Sequence, residues 1–300
     1  MTTPHKPPPR AASRSSTTAP PRRGLWVYAL GLPAFAALGY AAICGFMYAK
    51  QRDFVYFPQV TRVAAQATDF ELARGGAVLR GWVLNPGQAR ALLYFGGNAE
   101  AIEHNREAFA AWFPDHTVYL LAYRGYGASD GNPSEAALVG DALALHDFAA
   151  ARHPGIDVIG RSLGSGVAAQ LAARRPVRRL ALVTPFDSLV GVAGSAYPWL
   201  PVGRLMQDRF DSARHLADYR GEVLVVQASA DEVIRAAHTR RLVEALPRAP
   251  RVLTLAGARH NGFDARPEYA GALTAFFDVP AVEADASQRD SDGAAVDMTR

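Results

Sequence analysis

From about residue 68 to residue 277, short apolar runs alternate with longer helical stretches, and that alternation admits few architectures. Strands are expected at Asp69–Ala73, Ala77–Leu84, Arg90–Phe95, Thr117–Tyr123, Ile156–Gly160, Arg179–Thr184, Glu222–Ala228 and Arg251–Ala256. Helices are expected at Ala99–Trp112, Ser134–Arg152, Leu163–Arg174, Ala236–Leu246 and Pro267–Phe277. The later strands are dense in Val, Ile and Leu, as strands buried on both faces are. Strands alternating with helices predict one α/β domain built on a mainly parallel sheet. With 300 residues, about half of them hydrophobic (49%), the chain can bury a substantial core.

Ahead of this region, Leu25 to Ala49 runs 25 residues without a charge. At about 1.5 Å per residue a helix of that length crosses a hydrocarbon core of about 30 Å with some tilt. Pro33 is tolerable there, and Trp26, Tyr28 and Tyr48 sit near the ends, where interfacial aromatics are favoured. A cleaved signal peptide has a hydrophobic stretch of only about 7–15 residues. A lipoprotein signal wants a small residue before Cys44, and Ile43 is not small. A buried soluble helix shows a polar stripe, and this run has none. An uncleaved anchor is therefore expected over 24–49. Lys6, Arg10, Arg14, Arg22 and Arg23 precede it, while Lys50 and Arg52 follow and Asp53 partly offsets them. The positive-inside tendency puts the N-terminus in the cytoplasm and the main domain, expected over 50–279, on the other side. Residues 1–23, rich in Pro, Ser, Thr and Arg, and the polar 280–300 are expected to be disordered tails.

The chain's formal charge of +4 is a property of that first tail. Five of its 32 lysines and arginines stand in residues 1–23 with no acid, so the remainder is close to neutral against 28 acids. A nucleic-acid partner is not expected from such a distribution. A single cysteine, Cys44, allows neither an internal disulfide nor a multi-cysteine metal site.

Gly160-Arg161-Ser162-Leu163-Gly164 lies between an apolar strand and a helical run. A serine hydroxyl is a weak nucleophile unless it is held clear of its neighbours beside a base. A sharp strand-to-helix turn does this, and flanking glycines remove side chains that would collide. The bland alternative is a Gly/Ser turn that caps a helix. Leu93-Tyr94-Phe95-Gly96-Gly97-Asn98-Ala99 also runs from strand to small-residue turn, where a backbone N–H can face a developing oxyanion. The N–H groups of Asn98 and Leu163 are the candidates, though an ordinary glycine turn would read the same.

Among eight histidines, His5 lies in the tail. His104, His146, His153 and His238 fall in or beside helical runs, where they are expected to be solvated. His116 precedes a strand and His215 follows the sixth. His260, in Gly257-Ala258-Arg259-His260-Asn261-Gly262 after the last strand, completes the chain order serine, acid, histidine. For the acid, Asp231 in Ala228-Ser229-Ala230-Asp231-Glu232 is preferred over Asp187, which follows the preceding strand.

Together these motifs, with Tyr123-Arg124-Gly125-Tyr126-Gly127-Ala128-Ser129-Asp130-Gly131, resemble the α/β-hydrolase superfamily over roughly 55–278. Within it the chain is similar to membrane-anchored abhydrolase-domain proteins, which also carry segments like Gln51-Arg52-Asp53-Phe54-Val55-Tyr56-Phe57-Pro58. Gly96 departs from the histidine that many relatives carry there. The resemblance implies an α/β-hydrolase fold with an eight-stranded, mostly parallel sheet flanked by helices. It also implies a small cap between Asp187 and about Arg220, and a catalytic set Ser162, Asp231 and His260. Tyr197, Trp199, Leu200 and Met206 either line an acyl groove or pack the cap onto the core. The glycine-rich Tyr123–Gly131 run is read as a structural loop rather than a nucleotide site. The expected activity is cleavage of a carboxylic ester or thioester with no metal or organic cofactor. A serine peptidase, a protein-acyl thioesterase and a noncatalytic scaffold on the same fold are the alternatives.

Overall fold

The computed structural model describes residues 23–278, and their side chains from residue 30 onward. The tails expected over 1–23 and 280–300 lie outside the described residues, save for Arg23, where the first helix begins. The chain divides into two units, with the boundary between Phe46 and Met47. Helix α1 (Arg23–Val55) has 33 residues and carries Pro33 without ending. Among the described residues, it is the helix long and apolar enough to cross a membrane by length and composition. Leu30, Leu32, Phe35 and Leu38 are each at least 70% exposed, so no protein core covers this stretch.

The second unit is built on an eight-stranded sheet. Its strands are β1 (Phe70–Arg74), β2 (Ala77–Leu84), β3 (Arg90–Phe95), β4 (His116–Leu121), β5 (Gly155–Arg161), β6 (Arg179–Val183), β7 (Glu222–Ala228) and β8 (Arg251–Leu255). Their order across the sheet is β1-β2-β4-β3-β5-β6-β7-β8. β2 runs antiparallel to both its neighbours, and every pairing from β4 onward is parallel. β4, β5 and β6 bury nearly every residue, which is why they read as continuous apolar runs and not as alternations. Each fully buried Val, Leu or Ile contributes about 1.5–3 kcal/mol relative to exposure.

The helices follow in chain order: α2 (Arg106–Trp112), α3 (Glu135–Ala150), α4 (Leu163–Ala172), α5 (Leu189–Ala196), α6 (Val202–Leu205), α7 (Ser212–Leu216), α8 (Ala236–Ala245) and α9 (Pro267–Phe277). Helix α3 starts where Ser134 Oγ accepts the Ala137 N–H at 3.2 Å, an N-cap. All ten residues of α4 are buried, and small ones predominate because this helix presses closely on the sheet. A Cβ at Gly160 would stand 2.4 Å from Gly164 O, and one at Gly164 would stand 1.9 Å from Phe95 O. Neither contact is possible for any other residue, so both glycines are required by packing alone.

The helix expected at Ala99–Trp112 is shorter. A turn at Gly97–Glu100 and a 3₁₀ turn at Ile102–Asn105 come first, and α2 begins only at Arg106. Glu100 causes this: its side chain accepts the Gly97 N–H at 2.7 Å and fixes the turn. The segment from Asp187 to Arg220 holds the three short helices α5, α6 and α7.

Candidate active site

Because β3, β5, β7 and β8 are mutually parallel in the sheet, the loops leaving their carboxyl ends gather at one edge. Those loops carry Asn98, Ser162, Asp231 and His260. Ser162 has φ 51° and ψ −116°, a sparsely populated conformation for a residue with a side chain. Holding it costs on the order of 1–3 kcal/mol, supplied by the surrounding packing. Its N–H donates to Val183 O at 2.9 Å, which ties the turn to β6.

Ser162 Oγ lies 3.0 Å from His260 Nε2, and His260 Nδ1 lies 2.8 Å from Asp231 Oδ2. Asp231 Oδ1 accepts the N–H groups of Val233 and Ile234 at 2.9 and 2.7 Å. With Asp231 ionised, Nδ1 carries the imidazole proton and Nε2 presents a lone pair to Ser162. The serine is 9% exposed and the histidine 6%, so water has little access to their hydrogen bond. Asp187, the rival acid, points elsewhere and bonds His238 and Arg241.

Asn98 and Leu163 line the same cavity as Ser162. Among the described residues, neither backbone N–H donates a hydrogen bond to another group. Gly97 packs over the serine, since a Cβ there would lie 3.8 Å from Ser162 Cβ. Glu100 holds this loop from below, accepting from Tyr94 Oη at 2.6 Å and Asn105 Nδ2 at 2.7 Å as well as from Gly97. Arg161 stands 3.6 Å from Glu100 and 3.1 Å from Asp264, and it donates to Asn261 Oδ1 at 3.2 Å. Burial opposes the Arg161 charge, yet Glu100, Tyr94 and Asp264 raise its pKa above the ordinary arginine value. One buried cation thus links the Asn98 loop, the serine turn and the histidine loop. On the exposed side, Glu232 accepts the His260 N–H at 3.3 Å and pairs with Arg259 at 2.9 Å. Its own backbone amide, then Arg259 and the His260 amide, hold the Glu232 carboxyl down to about 2.

The cavity in front of Ser162 has a volume of about 320 Å³ and walls that are almost wholly apolar. Tyr197, Leu200 and Met206 line it, while Trp199 is 56% exposed and does not. Phe186 and the α5 face at Leu189, Val192 and Ala193 complete the cap side. At Gly96 a Cβ would meet Ile102 Cγ2 at 2.6 Å, so Ile102 fills the space a side chain would need. The Tyr123–Gly131 loop braces the Asn98 turn, with Tyr126 Oη donating to Asn98 O at 2.7 Å. Among the described residues, no group of three or more His, Cys, Asp or Glu side chains is arranged to hold a metal ion.

The expected solvation of His146, His153 and His238 is corrected: all three are buried, and only His104 of that group is exposed. Each buried ring bonds a distant segment, although His146 Nδ1 has no hydrogen-bond partner among the described residues. His146 reaches Pro176 O, His153 reaches Tyr119 Oη and Gln88 O, and His238 reaches Asp187 and Ser195. Helical periodicity cannot show contacts of that range. Sequence reasoning also missed Arg161, inside the serine motif, and Glu100, directly after the Asn98 motif, neither of which belongs to the pattern beside it. A carboxylate and a guanidinium directly beside two glycine turns was the available signal.

No family model matches the chain. It is 33% identical over 248 residues to an uncharacterized protein of Mycobacterium tuberculosis, covering 78% of this chain and 88% of that one. It is 26% identical over 247 residues to alpha/beta hydrolase domain-containing protein 17C of Xenopus tropicalis, covering 79% and 77% respectively. Among solved structures it is similar to Est1E from Butyrivibrio proteoclasticus, which has ferulic acid bound. The TM-score is 0.59 at 16% identity, over 69% of this chain and 97% of the other. At that identity the likeness is one of fold.

Proposed function

Since the chain belongs to the α/β-hydrolase superfamily, we propose that it is a serine hydrolase cleaving carboxylic esters of lipophilic acids through Ser162, His260 and Asp231. The observation that carries this reading is the Ser162 Oγ–His260 Nε2 hydrogen bond of 3.0 Å opening onto an apolar cavity. His260 Nε2 takes the Ser162 proton as Oγ forms a bond to the acyl carbon. The carbonyl oxygen becomes an oxyanion, faced by the N–H groups of Asn98 and Leu163. Collapse breaks the bond to the leaving oxygen, which takes the proton from His260 and departs as the alcohol. Water then repeats the sequence on the acyl-enzyme and releases the acid. Asp231 holds the ring and stabilises its charged form throughout. A thioester of the same acid fits the same scheme, with a thiol leaving in place of the alcohol.

Residues 25–49 act as a single-pass anchor in this reading, supported by their length and lack of charge. The cations ahead of them put the N-terminus in the cytoplasm and the catalytic domain on the opposite side.

Fluorophosphonate labelling tests both parts. The wild-type full chain is expected to label, and Ser162→Ala is not. A folded wild type that does not label would remove the hydrolase reading. On intact expressing cells, a probe unable to cross the membrane is expected to label the chain; labelling only after lysis would reverse the orientation.

A further inference from the structure

Met47, Gln51, Phe54 and Val55 all line the cavity in front of Ser162. Their spacing of four, seven and eight residues from the first puts them on one face of the last turns of α1. The neighbouring stripe, Arg52 and Tyr56, bonds the cap. Arg52 Nε and Tyr56 Oη each donate to Asp208 Oδ2 at 3.0 Å, and Asp208 is 5% exposed. Gln51 spans to the same segment, donating to Leu205 O at 3.2 Å and accepting the Gln207 N–H at 2.7 Å.

The same turns also reach the loop that carries Asn98. Asn98 Nδ2 donates to Val55 O at 3.1 Å, and the Phe57 N–H donates to Asn98 O at 3.1 Å. Val55 O is among the last carbonyls of α1, which lack partners within the helix, so Asn98 serves as a cap. The helix end is thereby fastened at two places, to the cap at residues 205–208 and to the turn over Ser162. Leu205 and Met206, within the first of these, line the cavity themselves.

We infer that residues 47–55 are a specificity element of the site, with Phe54 the side chain against which the distal part of an acyl chain packs. This rests on the reading of Ser162 as the nucleophile. Phe54 is the aromatic residue on the cavity-lining face and is half exposed, so replacing it disturbs the cavity wall more than the core. A short acyl group reaches Ser162 without needing that wall. A long one gains contact area along it, and the gain appears in binding rather than in the chemical step.

The test is a kcat and KM profile of acetyl and decanoyl esters, using the purified full chain in one detergent throughout. Phe54→Ala is expected to lower kcat/KM for the decanoyl ester about tenfold, mainly through KM, while the acetyl ester stays within about twofold. Phe54→Leu is expected to give a smaller fall of the same sign. Wild type is labelled with fluorophosphonate in parallel. A labelled wild type whose decanoyl-to-acetyl ratio matches that of both variants overturns this inference alone. A folded wild type that does not label overturns the reading beneath it, and this inference falls with it.

Discussion

Two serines in this molecule face a histidine that in turn faces an aspartate. The first series is Ser162, His260 and Asp231, with separations of 3.0 and 2.8 Å. The second is Ser195, His238 and Asp187, with separations of 3.0 and 2.7 Å. Distances do not tell them apart; their surroundings do. Ser162 sits at a strained strand-to-helix turn, beside two backbone amides free to donate. Ser195 sits in the last turn of α5, where backbone amides are used within the helix.

The electrostatics differ as well. Asp231 accepts two backbone N–H groups on one oxygen and faces His260 with the other. Burial opposes ionisation of Asp187, but Arg241, His238 and the Ser188 amide hold its carboxyl below the usual range. Arg241 Nη2 also stands 2.7 Å from His238 Nδ1. A guanidinium only donates, so it favours a lone pair on Nδ1 and the proton on Nε2, while Asp187 favours the reverse. With the proton on Nε2, His238 has no lone pair to offer Ser195. The second series therefore reads as a structural tie between α5, α8 and the end of β6. Three side chains in line do not make a nucleophile unless a strained turn, free donors and an uncontested tautomer accompany them.

The sharpest way to break this comparison is to remove each histidine. His260→Ala is expected to lower kcat on the acetyl ester on the order of 10⁶-fold with little change in melting temperature. His238→Ala is expected to do the opposite, leaving kcat within a few-fold while costing about 1–3 kcal/mol of stability in denaturant unfolding, because buried partners lose their bonds. Comparable kcat losses in the two variants would make the surroundings irrelevant.

A smaller contrast comes from the charges beside each series. Glu100→Gln is expected to lower kcat about 10²-fold by loosening the Asn98 turn. Arg241→Gln is expected to leave kcat within about twofold. Equal losses would mean that Glu100 supports the fold and not the donor loop.

The smallest effect is pH-dependent and confined to the first series. Glu232 has its carboxyl depressed from the usual 4.5 to about 2, so its contribution is complete above about 4.5 and vanishes as pH falls through about 2. The melting-temperature gap between wild type and Glu232→Gln should therefore be open at neutral pH and close across that window. A gap that persists at about pH 2 would detach Glu232's role from its charge.

The strands were legible because β5, β6 and β7 are buried on both faces and so compress their apolar residues into short dense runs. Predicted and observed boundaries there differ by at most a residue. Ser162, Asp231 and His260 were legible for a different reason: each follows a strand in a loop, and parallel strands bring such loops to one edge. The three cap helices were not read, although Ser188, whose Oγ accepts the Gly191 N–H at 3.0 Å, and Asp211 supply capping signals. Helices of four to eight residues carry too little periodicity to register. The buried histidines stayed hidden because their partners come from other segments, and no local pattern encodes such contacts. Glu100 and Arg161 come together across separate loops, and only their places beside the two glycine turns hinted at it.

The close approach of α4 to the sheet has a consequence for how this chain tolerates change over time. Gly160 and Gly164 flank Ser162, the nucleophile we propose, yet what excludes alanine at either is a collision with Gly164 O or Phe95 O. A descendant that had lost Ser162, and with it the proposed chemistry, would still be held to both glycines in order to fold. Invariance at those two positions across a lineage therefore reports a preserved fold. Retention of the proposed activity has to be read from Ser162, Asp231 and His260 themselves.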